Sequence, residues 1–210
     1  MLSTSPPDQL TSVNLDAYFQ RISYTGAQSA TLETLQRIHY LHPQAIPFEN
    51  LNPFLRLPVR LDLGSLQEKM VFDGRGGFCY EQNNLLAHVL TALGFTVKGL
   101  AARVLWNLPE DVTNPRTHML LLVQADGNPY IADVGFGGLT MTAPLALVPD
   151  REQPTPHESF RLLKAGGEFI VEAFVRQEWK ALYRFGLDPH LLPDYELASW
   201  FCATIRLPAS

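Results

Sequence analysis

Residues 75–81 read RGGFCYE, and a helical pattern follows directly from this stretch. Apolar residues repeat at helical spacing over residues 78–93, and Gly94 stands where a glycine commonly ends a helix. The pattern places Cys79 in the first turn, where unpaired N–H groups and the helix dipole stabilise a thiolate or a neighbouring oxyanion. The two glycines of the stretch let the backbone approach a ligand closely. A buried structural cysteine fits the same residues and is the commoner role of that side chain.

The sequence on either side of Gly94 shows two different patterns. Up to Gly94 the apolar spacing is helical, and beyond it short β-branched, aromatic and Leu-rich runs alternate with turn signals. Three earlier helices are predicted: one capped by Asn14, one that begins at Thr31 and stops at Pro43, and one with a capping box of Ser65 and Glu68. Six strands are predicted, over residues 95–106, 119–124, 130–134, 160–163, 169–175 and 179–185. This succession indicates an antiparallel barrel or sandwich, and a last helix is predicted over 191–204.

A thiolate at neutral pH usually needs an imidazolium partner that a third polar group orients. His118 begins one predicted strand, and Asp133 lies near the end of the next strand. A turn at residues 126–128 makes these two strands antiparallel neighbours, so that His118 and Asp133 lie nearly opposite each other. Each residue taken singly also fits a hydrogen-bonded polar side chain at a strand end. The conjunction with Cys79 predicts a Cys-His-Asp arrangement.

Other reactive side chains carry weaker signals. His39 and His42 are three residues apart on a helix but have no third ligand, so no metal site is expected. Cys202 lies in an aromatic run and is interpreted as packing. The glycines of residues 135–138 match neither common nucleotide-binding pattern.

Composition limits the class of protein. The chain has 210 residues, of which 46% are hydrophobic and 18% charged, and its net charge is −5. These values exclude a disordered chain and argue against nucleic-acid or anionic-membrane partners, and the length corresponds to one or two domains. No run approaches the roughly 18 apolar residues of a membrane span, residues 1–10 do not resemble a signal peptide, and two cysteines are too few for a disulfide framework. We therefore expect a cytoplasmic protein with reduced thiols.

Together with residues 75–81, four further motifs resemble those of the arylamine N-acetyltransferase family. They are PFENL at residues 47–51, Thr117-His118, DVGFG at residues 133–137 and YRF at residues 183–185. The motifs occur in the family's order and at its separations, and the resemblance extends from about residue 15 to residue 204.

The resemblance implies an α+β fold with a cysteine-protease-like core. Residues 1–94 would form an N-terminal helical domain with the nucleophilic cysteine, and residues 95–204 an antiparallel β-barrel domain with the histidine and the aspartate. The family continues with a C-terminal α/β lid domain, whereas residues 205–210 depart from the family pattern. We therefore expect the lid domain to be largely absent, which would lower cofactor affinity and activity.

The resemblance also implies an acyltransferase of xenobiotic metabolism with a triad of Cys79, His118 and Asp133. Cys79 would take an acetyl group from acetyl-CoA as a thioester. It would then pass the group to an arylamine, an arylhydrazine or an N-hydroxyarylamine in a ping-pong reaction. His118 would move the proton, and Asp133 would orient and stabilise the imidazole.

Further residues have binding and supporting roles by the same resemblance. They are Thr117, Phe136 and Gly137 for acetyl-CoA, Phe48 and Phe136 for the flat aromatic acceptor, and Glu49 and Arg75 for an ion pair that holds the nucleophile loop. No metal is implied.

Two other functions remain open from the sequence. The early departure from the family pattern at residues 205–210 motivates a catalytically impaired or inactive remnant of such an enzyme. A hydrolytic cysteine enzyme with the same core, of protease or transglutaminase type, would use the same three side chains. The residues that make up the motifs favour the acetyltransferase over the hydrolytic enzyme. The expected partner is a small aromatic amine or hydrazine rather than nucleic acid or a membrane.

Overall fold

The computed structural model describes residues 12–109 and 113–204, so residues 205–210 lie outside the described part. Within these ranges there are six α-helices: α1 (Leu15–Ile22), α2 (Leu32–Ala45), α3 (Leu51–Phe54), α4 (Leu63–Gln67), α5 (Cys79–Ala92) and α6 (Leu192–Thr204). A π-helical turn over Glu68–Phe72 continues α4. The eight strands are β1 (Thr96–Val104), β2 (His118–Ala125), β3 (Asn128–Ala132), β4 (Leu145–Ala146), β5 (Glu152–Pro154), β6 (Ser159–Ala165), β7 (Glu168–Val175) and β8 (Glu178–Phe185).

Side-chain caps begin the first two helices as predicted. The Asn14 carboxamide accepts the Ala17 N–H at 3.0 Å, and the Thr31 hydroxyl accepts the Thr34 N–H at 3.3 Å. These bonds satisfy N–H groups that have no partner inside the helix. Both predicted helix starts are therefore confirmed.

Two details of the predicted helices are wrong. Pro43 does not stop α2, which continues to Ala45. The proline costs the helix one hydrogen bond, and only two helical residues follow it. The predicted capping box of Ser65 and Glu68 is absent. Asp62 caps α4 instead, and its carboxylate accepts the Ser65 N–H at 2.9 Å.

Helix α5 begins and ends close to the predicted residues. Phe78 precedes the first turn, and its N–H donates to the Glu81 carboxylate at 3.1 Å. At the other end Gly94 has a φ of +91°, a left-handed conformation that glycine adopts without strain. Most of α5 is buried, so its first turn is fixed from several sides.

The eight strands form one antiparallel sheet in the order β4-β3-β2-β1-β8-β7-β6-β5. The Gln153 side chain of edge strand β5 joins the opposite edge, β4. It accepts the Ala146 N–H at 2.8 Å and donates to the Ala146 carbonyl at 3.0 Å. The sheet is therefore a nearly closed barrel, which confirms the predicted α+β fold and decides between barrel and sandwich. Strands β4 and β5 were not predicted, because two or three residues carry no periodic pattern.

The barrel separates two hydrophobic cores. In β2, Leu121 packs in the core shared with the helices, while its neighbours Leu120 and Leu122 pack inside the barrel. Helix α6 returns to the helical side, where the Tyr195 and Tyr80 rings lie 6.0 Å apart. This packing places the start of α5 beside the start of β2 and the end of β3. No helix in the described ranges is long and apolar enough to span a membrane.

Candidate active site

The segment before Cys79 is held against the PFENL segment by backbone contacts. The Gly77 N–H donates to the Pro47 carbonyl at 3.2 Å, and the Glu49 N–H donates to the Gly77 carbonyl at 3.0 Å. A Cβ added at Gly76 would lie 1.9 Å from the Pro47 oxygen. Only glycine fits at Gly76, and this explains why the two motifs occur together.

Four charged side chains connect these segments to α5. Arg75 Nη2 lies 2.7 Å from Glu49 Oε1, and these two residues form the ion pair that the family resemblance implied. Lys69 lies 3.4 Å from the same Glu49 oxygen and 2.7 Å from the buried Glu81. Burial raises the pKa of Glu81, and Lys69 opposes that rise. Lys69 was not predicted from the sequence, although a glutamate in a buried helix signals that it needs a cationic partner.

The Gln82 side chain also holds together the PFENL segment and the segment before Cys79, through hydrogen bonds. Its Nε2 lies 3.0–3.2 Å from the carbonyl oxygens of Ile46, Pro47 and Gly77, and its Oε1 bonds the ring of His42 at 2.7 Å. The side chain therefore satisfies buried carbonyl groups on both segments. It follows Cys79 by three residues, and nothing in the helical spacing had marked it as functional.

His118 and Asp133 meet as the sequence predicted. His118 is the first residue of β2 and Asp133 is the first residue after β3, in a ladder whose last pair is Leu121 with Ala132. His118 Nε2 lies 2.6 Å from Asp133 Oδ2, and both side chains are buried. Burial alone would raise the pKa of Asp133, but the His118 ring and the hydrogen bonds to the carboxylate lower it below its usual value.

The other oxygen of Asp133 has two further donors. Asn83 Nδ2 and the Gly135 N–H each donate to Oδ1 at 2.9 Å. Asn83 also donates to the Met119 carbonyl at 2.8 Å and accepts the Val134 N–H at 3.0 Å. Asn83 was not predicted as a site residue, although it lies one helical turn after the cysteine and hence on the same face of α5.

The Cys79 thiol is buried and donates to the Thr117 carbonyl at 3.7 Å. Burial, with smaller contributions from Cys202 and Asp133, raises its pKa well above the usual range, and the Met119 and Tyr80 N–H groups oppose this only in part. The sequence predicts that the N–H groups at the start of α5 stabilise a thiolate, but they are not sufficient by themselves to favour the thiolate over the thiol at Cys79. Cys202 Sγ donates to the same Thr117 oxygen at 3.8 Å. The prediction that Cys202 serves only in packing did not include this contact.

A cavity of about 410 Å³ opens onto the thiol and the imidazole. Its walls are formed by Phe48, Cys79, Val104, Trp106, Thr117, His118, Gly135, Phe136, Gly138 and Leu139. The structure thus brings together the three candidate catalytic residues and three of the candidate binding residues. Gly137 is not among the residues of the wall, and a Cβ added to it would lie 3.7 Å from the Phe48 ring. A larger groove of about 1170 Å³ lies between the segment around α3 and α6, and none of the three catalytic candidates lines it.

Aromatic rings fix the imidazole from the side. The Phe136 ring meets the His118 ring edge-on at 5.2 Å between centroids, and the Tyr183 ring lies 4.8 Å away. A Cβ added at Gly135 would lie 2.7 Å from the Cys79 Cα. The loop after Asp133 therefore packs directly on the first turn of α5.

Comparisons with known proteins agree on one family. The profile of a family described as N-acetyltransferase matches residues 31–208. Arylamine N-acetyltransferase of Escherichia coli K12 is 43% identical over 189 residues, which cover 90% of this chain and 67% of that protein. The Mycobacterium tuberculosis H37Rv enzyme of the same name is 44% identical over 196 residues, with 91% and 69% covered.

Solved structures show the same relationship. Arylamine N-acetyltransferase from M. tuberculosis superposes with a TM-score of 0.89 at 44% identity, over 91% of this chain and 73% of that one. The Mycobacterium marinum enzyme in complex with CoA gives a TM-score of 0.89 at 42% identity, with 91% and 72% covered. Fold and sequence together define an acyltransferase. The chain belongs to the arylamine N-acetyltransferase family, as its motifs indicated.

Proposed function

We propose that the chain transfers an acetyl group from acetyl-CoA to a small aromatic amine, arylhydrazine or N-hydroxyarylamine through an acetyl thioester on Cys79. The observation that carries this proposal is the buried His118–Asp133 pair, which opens onto the same cavity as the thiol. The family membership of the chain supports the acetyl transfer, and the CoA complex of the M. marinum relative supports CoA as the carrier.

The first half-reaction forms the thioester. Because burial disfavours an isolated thiolate at Cys79, the proton leaves as the sulfur attacks the acetyl carbonyl. His118 Nε2 is bonded to Asp133, so Nδ1 is the ring nitrogen available to accept that proton. The carbon–sulfur bond to CoA then breaks, and the imidazolium returns the proton to the leaving thiolate.

The second half-reaction reverses these roles. The acceptor nitrogen attacks the thioester carbon, His118 takes a proton from that nitrogen, and Cys79 leaves and regains its proton. Asp133 stabilises the imidazolium in both halves because its lowered pKa keeps it ionised at neutral pH. The N–H groups in the first turn of α5 are the donors that we assign to the oxyanion.

The cavity walls fit a flat, mostly apolar acceptor. Phe48 is 46% exposed and forms the solvent-facing part of the cavity wall, and Phe136 lies beside the His118 imidazole. The two rings can therefore contact an aromatic acceptor at the cavity entrance and next to the imidazole. We assign Thr117, Phe136 and Gly137 to the approach of acetyl-CoA.

Mass spectrometry of the protein after incubation with acetyl-CoA alone tests the thioester. We expect one acetyl group on the wild type and on Cys202→Ser, and none on Cys79→Ser. Because the chain has only two cysteines, this pair of variants assigns the adduct. Addition of an arylamine should discharge the adduct and form acetylated product. Wild-type rates of product formation by Cys79→Ser would contradict the mechanism, and a wild type without adduct or product would indicate an inactive chain.

A further inference from the structure

The backbone of Asp133 lies just beyond the β-sheet ladder. Strand β3 ends at Ala132, so the next N–H has no strand partner. That buried N–H donates to His39 Nε2 at 3.1 Å. His39 belongs to α2, so the helical layer reaches across to hold the main chain of the residue that binds His118.

His39 is fully buried, and burial lowers its pKa to about 4, more than the nearby Asp133 carboxylate can offset. The ring is therefore neutral at neutral pH. A neutral ring that accepts at Nε2 carries its proton on Nδ1. His39 Nδ1 is buried and has no hydrogen-bond partner among the described residues.

An unpaired buried donor lowers stability, so an apolar side chain would suit a purely structural position in this core better. The one hydrogen bond of the His39 ring in the described residues is the bond to Asp133. The hydrogen bond to Asp133, and not the packing around the ring, thus explains why a histidine occupies position 39.

The remaining contacts of Asp133 hold its side chain. Asn83 and Gly135 donate to Oδ1 and His118 bonds Oδ2, whereas His39 alone holds the peptide N–H. A displacement of this peptide moves the carboxylate relative to the imidazole. Errors of about 1 Å in such geometry cost on the order of 100-fold in rate.

We propose that His39 is a positioning residue for acetyl transfer: it anchors the Asp133 main chain so that the carboxylate meets His118 in the orientation that the proton transfer needs. The inference rests on the proposed function, because it assigns His39 a part in the proton transfer at His118.

Two substitutions separate the hydrogen bond from the packing. His39→Gln places an amide oxygen near the position of Nε2, and His39→Met gives a side chain of similar reach without an oxygen or nitrogen acceptor. His39→Leu is a second variant without an acceptor, should the methionine fail to fold. All three residues are good helix formers, which suits a position within α2.

Gln67→Met is the matched control. Gln67 is also buried, its Oε1 accepts the backbone N–H of Asn14 at 2.6 Å, and its Nε2 has no partner in the described ranges. The substitution therefore removes the same kind of hydrogen bond at a position that does not contact Asp133.

The first measurement is the pH dependence of Cys79 alkylation by iodoacetamide, in a Cys202→Ser background so that one thiol reacts. This measurement needs neither acetyl-CoA nor an acceptor. The second is the steady-state kcat and KM for acetyl transfer. We expect His39→Met to shift the alkylation profile to higher pH and to lower kcat by about 10-fold or more, with KM nearly unchanged.

We expect His39→Gln to stay within about threefold of wild type and Gln67→Met to change neither the profile nor kcat. The proposal is overturned if His39→Met matches His39→Gln, or if Gln67→Met produces the same shift. A wild type that alkylates but transfers no acetyl group would contradict the proposed function, and the alkylation profiles would still decide the role of His39.

Discussion

The carboxylate of Asp133 lies 2.6 Å from Nε2 of the His118 ring, and the groups that bond this carboxylate keep it ionised. Burial works against ionisation, but the ring, Asn83 and the Gly135 N–H together lower its pKa. The same bonds set the proton positions on the ring, since Nε2–H donates to the carboxylate and leaves Nδ1 as the base.

Asp133→Asn tests this assignment at a single residue. Asn83 and Gly135 both donate to Oδ1, so the new carboxamide should keep its oxygen there and turn its NH2 group toward His118. His118 Nε2 would then accept, and the proton would move to Nδ1, where the base is needed. We expect kcat to fall by roughly 10²–10⁴-fold with little change in circular dichroism.

Asp126→Asn is the control for that substitution. Asp126 is exposed in the β2–β3 turn, and its carboxylate accepts the Leu32 N–H at 3.0 Å. This variant should retain wild-type kinetics. A rate for Asp133→Asn within threefold of wild type would show that the charge and the ring tautomer do not control transfer.

At the scale of elements, one cationic side chain joins the π-helical turn, the PFENL segment and α5. Lys69 Nζ contacts Glu49 and the buried Glu81, while Glu81 also caps α5 through the Phe78 N–H. Removal of the lysine leaves a carboxylate in the core without its ion-pair partner.

We expect Lys69→Met to lower the free energy of unfolding by about 3 kcal/mol in urea titrations, because a broken buried pair leaves an uncompensated charge. Lys180→Met removes the partner of the exposed Glu178 and should leave the unfolding midpoint unchanged. Equal midpoints for the two variants would mean that Glu81 is protonated or solvated in the folded chain.

The elements that the sequence predicted are those with a local signal. Residue spacing within a few positions predicts the caps at Asn14 and Thr31, helix α5 and the long strands. The turn after β2 predicts the register that brings His118 close to Asp133. Asn83 and Lys69 were missed, and His39 was weighed only as a metal ligand, because their partners are distant in sequence. Helical spacing does not distinguish a buried hydrogen-bonding residue from a packed one. Gly76 was noted for flexibility, but only the fold shows that the Pro47 oxygen fills the space of its Cβ.

At the scale of the whole molecule, two buried neutral histidines join separate elements, one across the two layers and one within the helical layer. His39 joins α2 to the end of β3, and His42 bonds Tyr18 of α1 and Gln82 of α5 at 2.7 Å each. Burial lowers the pKa of both histidines to about 4. Their unfolded value is about 6.5, so unfolding takes up protons wherever the pH lies between these values.

This difference sets the acid stability of the fold. Because the folded pKa is depressed, the contribution of each histidine is complete above about pH 6.5 and is lost as the pH falls towards 4, with up to about 3 kcal/mol each. Asp133 acts in the same direction, but its lowered pKa confines its effect to more acid solutions. We therefore expect urea-unfolding free energies to decline steeply between pH 6.5 and pH 4.

His42→Gln should reduce the steepness of that decline by about one proton, since it removes a group that is neutral in the fold and takes up a proton on unfolding. His157→Gln, at an exposed histidine between β5 and β6, should leave the slope unchanged and serves as the control. The measurement is the unfolding free energy at half-unit steps from pH 4 to pH 7.5 for the three proteins. An unchanged slope in His42→Gln would mean that this ring is already protonated in the fold. His42 Nδ1–H would then donate to the Tyr18 hydroxyl oxygen, while Nε2–H would still donate to Gln82 Oε1.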